Sequence, residues 1–274
     1  MRRKLLTLTA ALSAAALFGT ASQAQTFPDK PITFIVPFAA GSATDLLARA
    51  LAQAITVDTK ISVVVDNKPG ANAFIGAQAA AKAKPDGYTV LIATNTTHAA
   101  NEHLYKKLPY DPVKDFEPLT LLGRGGQIMV VNPALGVNSV AEFVKLAKSK
   151  PGKLSFGAGS SSSRIAGELF KQMAGAYIVA IPYRSNPPAV TDLIGGQIEM
   201  MITDMATGMP QVKAGKLKAL GVSTLQRSPL APEVPTISEA GVKGYEMTYW
   251  FAAYAPAGTP APGQRLTRVP SPPT

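Results

Sequence analysis

Two runs of small polar residues carry most of the chemistry that this 274-residue sequence offers. Residues 38–45 follow an apolar stretch, Ile32–Val36, and residues 157–163 end in four consecutive serines. Both runs precede apolar residues at helical spacing, so both predict the start of a helix. Backbone N–H groups there bind anions, because the helix dipole places partial positive charge at that end. The two runs therefore predict a site for a carboxylate or phosphate group.

Each run also has a purely structural interpretation, which the residues leave open. Ser42 and Asp45 have the S-x-x-D spacing of a capping box, so Asp45 could do no more than hold the helix start. The serine run could equally be a flexible capped loop. Gly157 and Gly159 match part of a dinucleotide fingerprint, but Ser162 occupies the third glycine position, so nucleotide binding is disfavoured.

Further polar residues directly follow other apolar stretches that predict strands. In an open α/β sheet, ligands lie outside the carboxyl ends of the strands, so such residues are candidates to line a cleft. They could instead hold their own loops by local hydrogen bonds. The candidates of this kind are Asn95, His98, Tyr183 and Asp204.

Hydrolysis is the enzymatic alternative, and the sequence gives it little support. There is no G-x-S-x-G nucleophile elbow, and the sequence has no cysteine. His98 and His103 are the only histidines available as a general base. With Glu102 they do not make a zinc-ligand set. We therefore predict a binding protein that is not an enzyme and uses no metal or cofactor, with an exported hydrolase as the alternative.

The first 24 residues have the composition of a secretory signal peptide. Arg2, Arg3 and Lys4 precede a short apolar stretch, and small residues precede a predicted cleavage after Ala24. Three of the 27 Lys and Arg lie there, which leaves 24 against 17 Asp and Glu. This mild, scattered basic excess suits a small anionic ligand, and no nucleic-acid-binding module is present. We expect a protein exported to the periplasm.

The rest of the chain alternates between predicted strands and helices, which is typical of a parallel sheet covered by helices. Gly123, Gly125 and Gly126 separate two predicted strands, 119–122 and 128–131, and indicate a crossing between domains. Other predicted strands are at residues 32–36, 61–66, 88–94, 153–156, 178–182, 198–203, 218–223 and 249–255. Predicted helices include residues 139–149 and 188–194, one after the serine run, and a short one at 237–240.

This order of elements predicts two similar α/β halves with a cleft between them. The first domain is predicted to span residues 25–124, with residues 249–260 returning to it. Residues 125–248 form the second domain. The C-terminal residues 261–274 contain three prolines in their last five positions and are predicted to be an atypical, disordered tail.

Long blocks of the sequence resemble the Bug-type solute-binding receptors of tripartite tricarboxylate transporters. These blocks occur in family order and include PITFIVPFAAGSATDLLAR, VVVDNKPGANAFIGAQAAAKAKPDGYTVL, LPYDPVKDFEPLTLL, FGAGSSSSRIAGELF, IPYRSNPPAVTDLIGGQIEMMITD and WFAAYAPAGTP. The resemblance implies a periplasmic-binding-protein fold of the Venus flytrap type. It also implies a monomer that closes on a small carboxylate and passes it to a membrane transporter or sensor.

In this family, backbone amides and ordered waters from the two polar runs hold the ligand carboxylate. Carried over to this sequence, the resemblance and the residue patterns together give one set of candidate ligand-binding residues. They are Phe38, Ala40, Gly41, Ser42, Asp45, Asn72, Asn95, His98, Ser160, Ser161, Ser162, Tyr183 and Asp204.

Four features depart from the family pattern. Ser42 stands where a second glycine is usual, Arg164 follows the serine run, and Asn186 replaces a small residue. Each could change the ligand preference. The segment GQRLTRVPSPPT replaces the family's C-terminal helices, so a truncated, non-functional receptor is a further alternative.

Overall fold

The structure is a computed structural model that describes residues 27–260. The predicted signal peptide with its cleavage after Ala24, and the predicted tail at residues 261–274, lie outside the described residues.

The first part of the chain forms a sheet in which three strands are parallel. β1 pairs with β2 on one side and β3 on the other, and β9 joins β3 in the antiparallel direction. Helices cover both faces, which explains why β1 and the middle of β3 are nearly continuous apolar runs rather than alternating. The elements are β1 (Ile32–Val36), α1 (Ala43–Thr59), β2 (Val63–Asn67), α2 (Phe74–Ala81), β3 (Thr89–Thr94), α3 (Asn101–Leu104) and β9 (Thr248–Pro256).

Alternate residues of β1 pack against different helices. Phe34 and Val36 belong to the core that contains Ala48 and Ala52 of α1. Ile35 points to the opposite face, where its core includes Ala77 of α2. Burial on both faces fixes the register of the strand, because a one-residue slip would move each side chain into the core on the other face of the sheet.

The second part of the chain repeats this design. β5 lies between β6 and β7 in a parallel arrangement, and β7 pairs in the antiparallel direction with β4 (Phe116–Val131). β8 pairs with the other edge of β4. The elements are α4 (Val140–Ser149), β5 (Ser155–Ala158), α5 (Ser161–Ala174), β6 (Val179–Pro182), α6 (Asn186–Ile194), β7 (Met200–Asp204), α7 (Met205–Lys213) and β8 (Lys218–Val222).

β4 is a single 16-residue strand, Phe116–Val131, and the prediction of two short strands broken by glycines was wrong. Its first part pairs with β9, and from Gln127 onward it pairs with β7. Gly126 lies within the strand and does not break it. Glycine is needed at this position because a Cβ there would lie 2.6 Å from Thr224 Cγ2. β4 and β9 therefore join the two sheets.

Two other predictions need correction, and one helix was missed. The loop expected through residue 163 ends earlier, because Ser160 caps α5 and the helix begins at Ser161. Residues 237–240 form a turn rather than a helix, and Gly241 follows with φ of 124°. α7 was not predicted, since its interior contains Pro210, a residue that normally ends helices. The predicted domain boundaries at residues 124 and 248 stay predictions.

Both sheets direct the carboxyl ends of their parallel strands toward one region. The residues that follow β1 and β3 in the first sheet approach those that follow β5, β6 and β7 in the second. Side chains from all five strand ends line a shared cavity, which is the candidate site.

Candidate functional site

The joint between β1 and α1 is held in shape by Asp45. Its Oδ2 accepts hydrogen bonds from the backbone N–H of Gly41 at 2.9 Å and from Arg49 Nε at 3.0 Å. Its Oδ1 accepts from Asn67 Nδ2 at 2.9 Å, and the same nitrogen donates to the carbonyl oxygen of Phe38. Asp45 thus ties the loop to the helix and to β2.

The predicted capping box at this joint is only half formed. The backbone N–H of Asp45 donates to Ser42 Oγ at 3.3 Å, as expected of an N-cap. The Asp45 carboxylate, however, reaches Gly41 rather than returning to the N–H of Ser42. The N–H of Ser42 instead donates to the carbonyl oxygen of Ala39 at 3.1 Å.

The serine run forms a complete capping box at the start of α5. The N–H of Ser163 donates to Ser160 Oγ at 3.1 Å, and the N–H of Ser160 donates to Ser163 Oγ at 2.9 Å. The N–H of Ser162 lies 3.4 Å from Thr96 Oγ1. Two of the four serines therefore cap their own helix, while Ser161 and Ser162 face the first sheet.

Hydrogen bonds connect the two sheets directly at this point. Ser162 Oγ donates to Asn95 Oδ1 at 2.9 Å and lies 2.9 Å from Thr96 Oγ1. Ser161 Oγ donates to Asn101 Oδ1 at 2.6 Å. On the other side of the cavity, the N–H of Ala39 donates to Ser185 Oγ at 3.3 Å. The two sheets are therefore closed on each other.

The cavity between them encloses about 40 Å³. Because a water molecule needs roughly 10–15 Å³ by this kind of measure, the space admits about three waters. Its lining comes from both sheets and from the strands that join them. The lining residues are Phe38, Ser42, Ala43, Thr44, Thr94, Asn95, Thr96, Gln127, Ser160, Ser162, Ser185, Asn186, Asp204, Tyr249 and Phe251.

Six of the predicted site residues line this cavity: Phe38, Ser42, Asn95, Ser160, Ser162 and Asp204. Ala40, Gly41, Asp45 and Ser161 lie beside it in the same loops and helix starts without lining it. Asn72, His98 and Tyr183 lie elsewhere. The prediction missed the other nine lining residues, although it singled out Asn186 as a departure from the family pattern. They are Ala43, Thr44, Thr94, Thr96, Gln127, Ser185, Asn186, Tyr249 and Phe251.

The three predicted residues that lie elsewhere have local partners. His98 stacks on Tyr254 with 4.1 Å between the ring centroids, and its Nδ1 lies 2.9 Å from Thr97 Oγ1. Burial lowers the pKa of His98 to about 4, so the ring is neutral near pH 7. Asn72 hydrogen-bonds to Tyr105. Tyr183 donates its hydroxyl to Asp192 Oδ2 at 2.8 Å.

The backbone amides predicted to hold a ligand carboxylate divide into two groups. Those of Gly41, Ser42 and Ser160 already donate within the protein. Within residues 27–260, four amides at these helix starts have no acceptor: those of Ala40, Ala43, Thr44 and Ser161. Ala43 and Thr44 line the cavity. The donors that remain for an anion are therefore those of Ala40 and of the first turn of α1, with Ser161 on α5.

Ionisable groups are scarce around the cavity. Among its lining residues, all of which belong to the described part of the chain, only Asp204 and Tyr249 carry such groups. Burial raises the pKa of Tyr249 to about 12, and the charge of Asp204 adds to this effect, so the phenol is neutral near pH 7. An anion here would be held by amides, hydroxyls and helix dipoles rather than by a cation.

Gly159 brings the start of α5 against the start of α6. A Cβ at this position would lie 2.4 Å from the backbone nitrogen of Asn186, a distance that no side chain can adopt. Glycine is therefore required between the serine run and Asn186, and it places both on one wall of the cavity.

Residues 27–260 offer neither a cluster of metal ligands nor a membrane-spanning helix. That segment contains no group of three or more His, Cys, Asp or Glu residues arranged to hold a metal ion. It also has no helix of sufficient length and apolar character to cross a membrane.

Comparison with known proteins connects this geometry to a family. The sequence pattern described as Tripartite tricarboxylate transporter family receptor matches residues 47–267. Protein BugT of Bordetella pertussis is 36% identical over 239 residues, which cover 86% of this chain and 73% of BugT.

Two solved structures from Rhodopseudomonas palustris are closely similar to this one. A protein solved with adipate superposes with a TM-score of 0.85 at 37% identity, covering 87% of this chain and 81% of the other. MatC, solved with bound malate, superposes with a TM-score of 0.83 at 29% identity, covering 88% of this chain and 82% of MatC.

Proposed function

Because the chain belongs to the tripartite tricarboxylate transporter receptor family, we propose that it captures a small organic carboxylate in the cavity between the two sheets. The resemblance to Bug-type receptors and the predicted α/β periplasmic-binding-protein fold are confirmed. The proteins of similar structure were solved with adipate and with malate, which supports a carboxylate as the ligand.

The observation that carries the proposal is the meeting of two helix starts at one cavity without a cation. α1 has 17 residues and α5 has 14, so each presents a full helix dipole with its positive end toward this region. The N–H groups of Ala43 and Thr44 have no acceptor among residues 27–260. Gln127 and Asn186, which also line the cavity and are at least nine-tenths buried, have unpartnered side-chain oxygens. This cavity wall is built to receive a polar ligand.

Capture requires the two sheets to separate. The cavity of about 40 Å³ is smaller than the roughly 300–1,000 Å³ of ordinary small-molecule sites, so a carboxylate enters an open form and closure follows. β4 and β9 connect the sheets and would bend as the hinge. Ligand contacts made only in the closed form would then shift the population toward it.

The site has no arrangement for hydrolysis within the described residues. His98, the less exposed of the two histidines, lies in an aromatic cluster with Tyr254 and Phe116. Its Nδ1 contacts Thr97 rather than a serine. The receptor interpretation includes no bond-breaking step, so ligand should be recovered unchanged.

The finer parts of the proposal concern location and partners. The mature receptor would lie in the periplasm after removal of residues 1–24, with two domains divided at residues 124 and 248. It would act as a monomer and present its ligand to a membrane transporter or to a sensor. The closed and open forms differ in the relative position of the two sheets, which gives a membrane partner a surface that reports the bound state.

Thermal-shift screening of the protein against a carboxylate panel that includes malate and adipate tests the proposal. A ligand at a hundred times its Kd adds about 2.7 kcal/mol of stability, which corresponds to roughly 5–10 °C in Tm for a chain of this size. The bound compound should be recovered intact. No Tm shift with any carboxylate, or turnover that His98→Ala abolishes, would contradict the proposal.

A further inference from the structure

One wall of the cavity presents hydrogen-bond acceptors. Three side chains form it: Gln127 of β4, Asn186 at the start of α6, and Asp204 at the end of β7. Their exposed fractions are 2%, 9% and 7%. Gln127 and Asp204 are also directly paired across β4 and β7, so they lie side by side in the sheet.

Two of these three residues have an oxygen atom without a donor. Within residues 27–260, Gln127 Oε1 and Asn186 Oδ1 are both buried and unpartnered. The orientation of the Asn186 amide is fixed, because its Nδ2 donates to Asp204 Oδ2 at 2.9 Å and a carboxylate can only accept. Buried carbonyl oxygens left in this way destabilise a fold unless something supplies a donor.

Asp204 adds negative charge to this wall. Its Oδ1 accepts a hydrogen bond from the backbone N–H of Thr207 at 2.8 Å, so it caps α7, but no Lys or Arg among the described residues forms an ion pair with it. A second carboxylate placed against it would meet a like charge in a water-poor site, which is unfavourable.

We propose that this cavity selects a small carboxylate whose far end donates hydrogen bonds, an ammonium or a hydroxyl group, and discriminates against dicarboxylates. This rests on the proposed function and narrows its ligand class. The carboxylate lies toward the amides of Ala43 and Thr44, and the donor reaches Gln127, Asn186 and Asp204. The amide donors of the site then bind the carboxylate of the ligand, and the acceptors of the site bind its hydrogen-bond donor.

Four compounds with the same carbon chain length separate the chemistry: γ-aminobutyrate, γ-hydroxybutyrate, succinate and butyrate. Calorimetry on the wild-type protein should give γ-aminobutyrate and γ-hydroxybutyrate at least about tenfold lower Kd than succinate or butyrate, as expected for one hydrogen bond to a charged or buried group. A lower Kd for γ-aminobutyrate than for γ-hydroxybutyrate would show that the positive charge of the ammonium group is recognised, whereas equal Kd values would show that only the hydrogen-bond donor is.

Asp204→Asn is the decisive variant. Asparagine keeps an oxygen that can cap α7, but it removes the negative charge and the second oxygen, which accepts from Asn186 Nδ2. This variant should raise the Kd for γ-aminobutyrate about tenfold or more, and it should reduce the difference in Kd between γ-aminobutyrate and succinate. Asp58→Asn, which makes the same change of charge on an exposed position of α1, should alter neither value. Gln127→Leu is a second variant that should weaken γ-hydroxybutyrate while leaving butyrate unchanged.

Succinate binding as tightly as the donor-bearing compounds, or no binding of either donor-bearing compound, overturns the inference. The proposed function fails separately, when no carboxylate in the wider panel shifts Tm. An equal effect of Asp204→Asn and Asp58→Asn on all four compounds would likewise remove Asp204 from ligand selection.

Discussion

Proline at position 43 provides a sharp test of the idea that backbone amides of α1 hold the ligand. Ala43 is the first residue of the helix, and its N–H has no acceptor among residues 27–260. Proline is favoured at this position because its fixed φ suits the first turn and no helical hydrogen bond is lost. The preceding residue must be extended, and Ser42 is, with φ of −70° and ψ of 158°. The fold should therefore tolerate Ala43→Pro.

Ligand binding should not tolerate it. A hydrogen bond to a charged group is worth about 1.5–3 kcal/mol, and 1.4 kcal/mol is a factor of ten in Kd, so loss of this donor should weaken binding roughly ten- to a hundredfold. The proline ring also occupies space on the cavity side of the helix start. Titration calorimetry with the tightest carboxylate measures the change, and circular dichroism confirms the helix content.

Ala43→Ser is the matched control, because it adds one side-chain atom and keeps the N–H group. It should bind within a few-fold of the wild-type protein. If Ala43→Pro is folded and binds as tightly as Ala43→Ser, the amide of Ala43 is not a ligand contact and the reasoning from the helix start is refuted.

Two further predictions concern the dependence of stability on pH. The pKa of His98 is lowered to about 4 by burial, so protonation favours unfolding: stability should be unaffected above the ordinary value of 6.5 and should fall by about 3 kcal/mol between pH 6.5 and 4. His98→Phe, which keeps a ring against Tyr254, should remove this fall in the free energy of unfolding, measured by urea unfolding at a series of pH values. An unchanged pH dependence in this variant would be inconsistent with a buried neutral imidazole. Burial alone would raise the pKa of Asp45, but hydrogen bonds from Arg49, Gly41 and Asn67 hold it below 3.8. Its stabilisation is therefore present above pH 3.8 and is lost as pH falls through the lowered value, so the stability difference between wild-type protein and Asp45→Asn should shrink at acidic pH and be largest near neutrality.

The parts of the fold that sequence predicted well are those decided by local pattern. β1 was predicted with its observed bounds, because Ile32–Val36 is apolar throughout and is followed by a polar helix start. β4 could not be predicted in one piece. Gly125 and Gly126 look like strand breakers, but they face Tyr249 and Thr224, residues more than ninety positions away. Only the packed neighbours show why glycine is needed there.

The same distinction applies to the site. The two helix starts were visible because capping residues and small polar residues mark them in the sequence, as Ser42 and Ser160 do. Gln127 and Tyr249 carry no such mark, since a single polar residue in a strand gives no indication of which cavity it faces. Their placement depends on the register of β4 with β7 and β9, which is fixed by pairing between distant segments.

The position of Gln127 links ligand contact to the joint between the sheets. Up to Gly126, β4 pairs with β9, and from Gln127 it pairs with Asp204 of β7. The backbone of Gln127 is held on its other edge, because its N–H donates to Ser223 Oγ at 2.7 Å and its carbonyl oxygen accepts from the N–H of Ser223. Gln127 and Asp204 therefore belong to the same sheet as the strand that leads into α5, whereas α1 belongs to the first sheet and reaches them only by the approach of the two sheets. A ligand long enough to touch both ends can do so only after that approach, so its binding energy is coupled to closure.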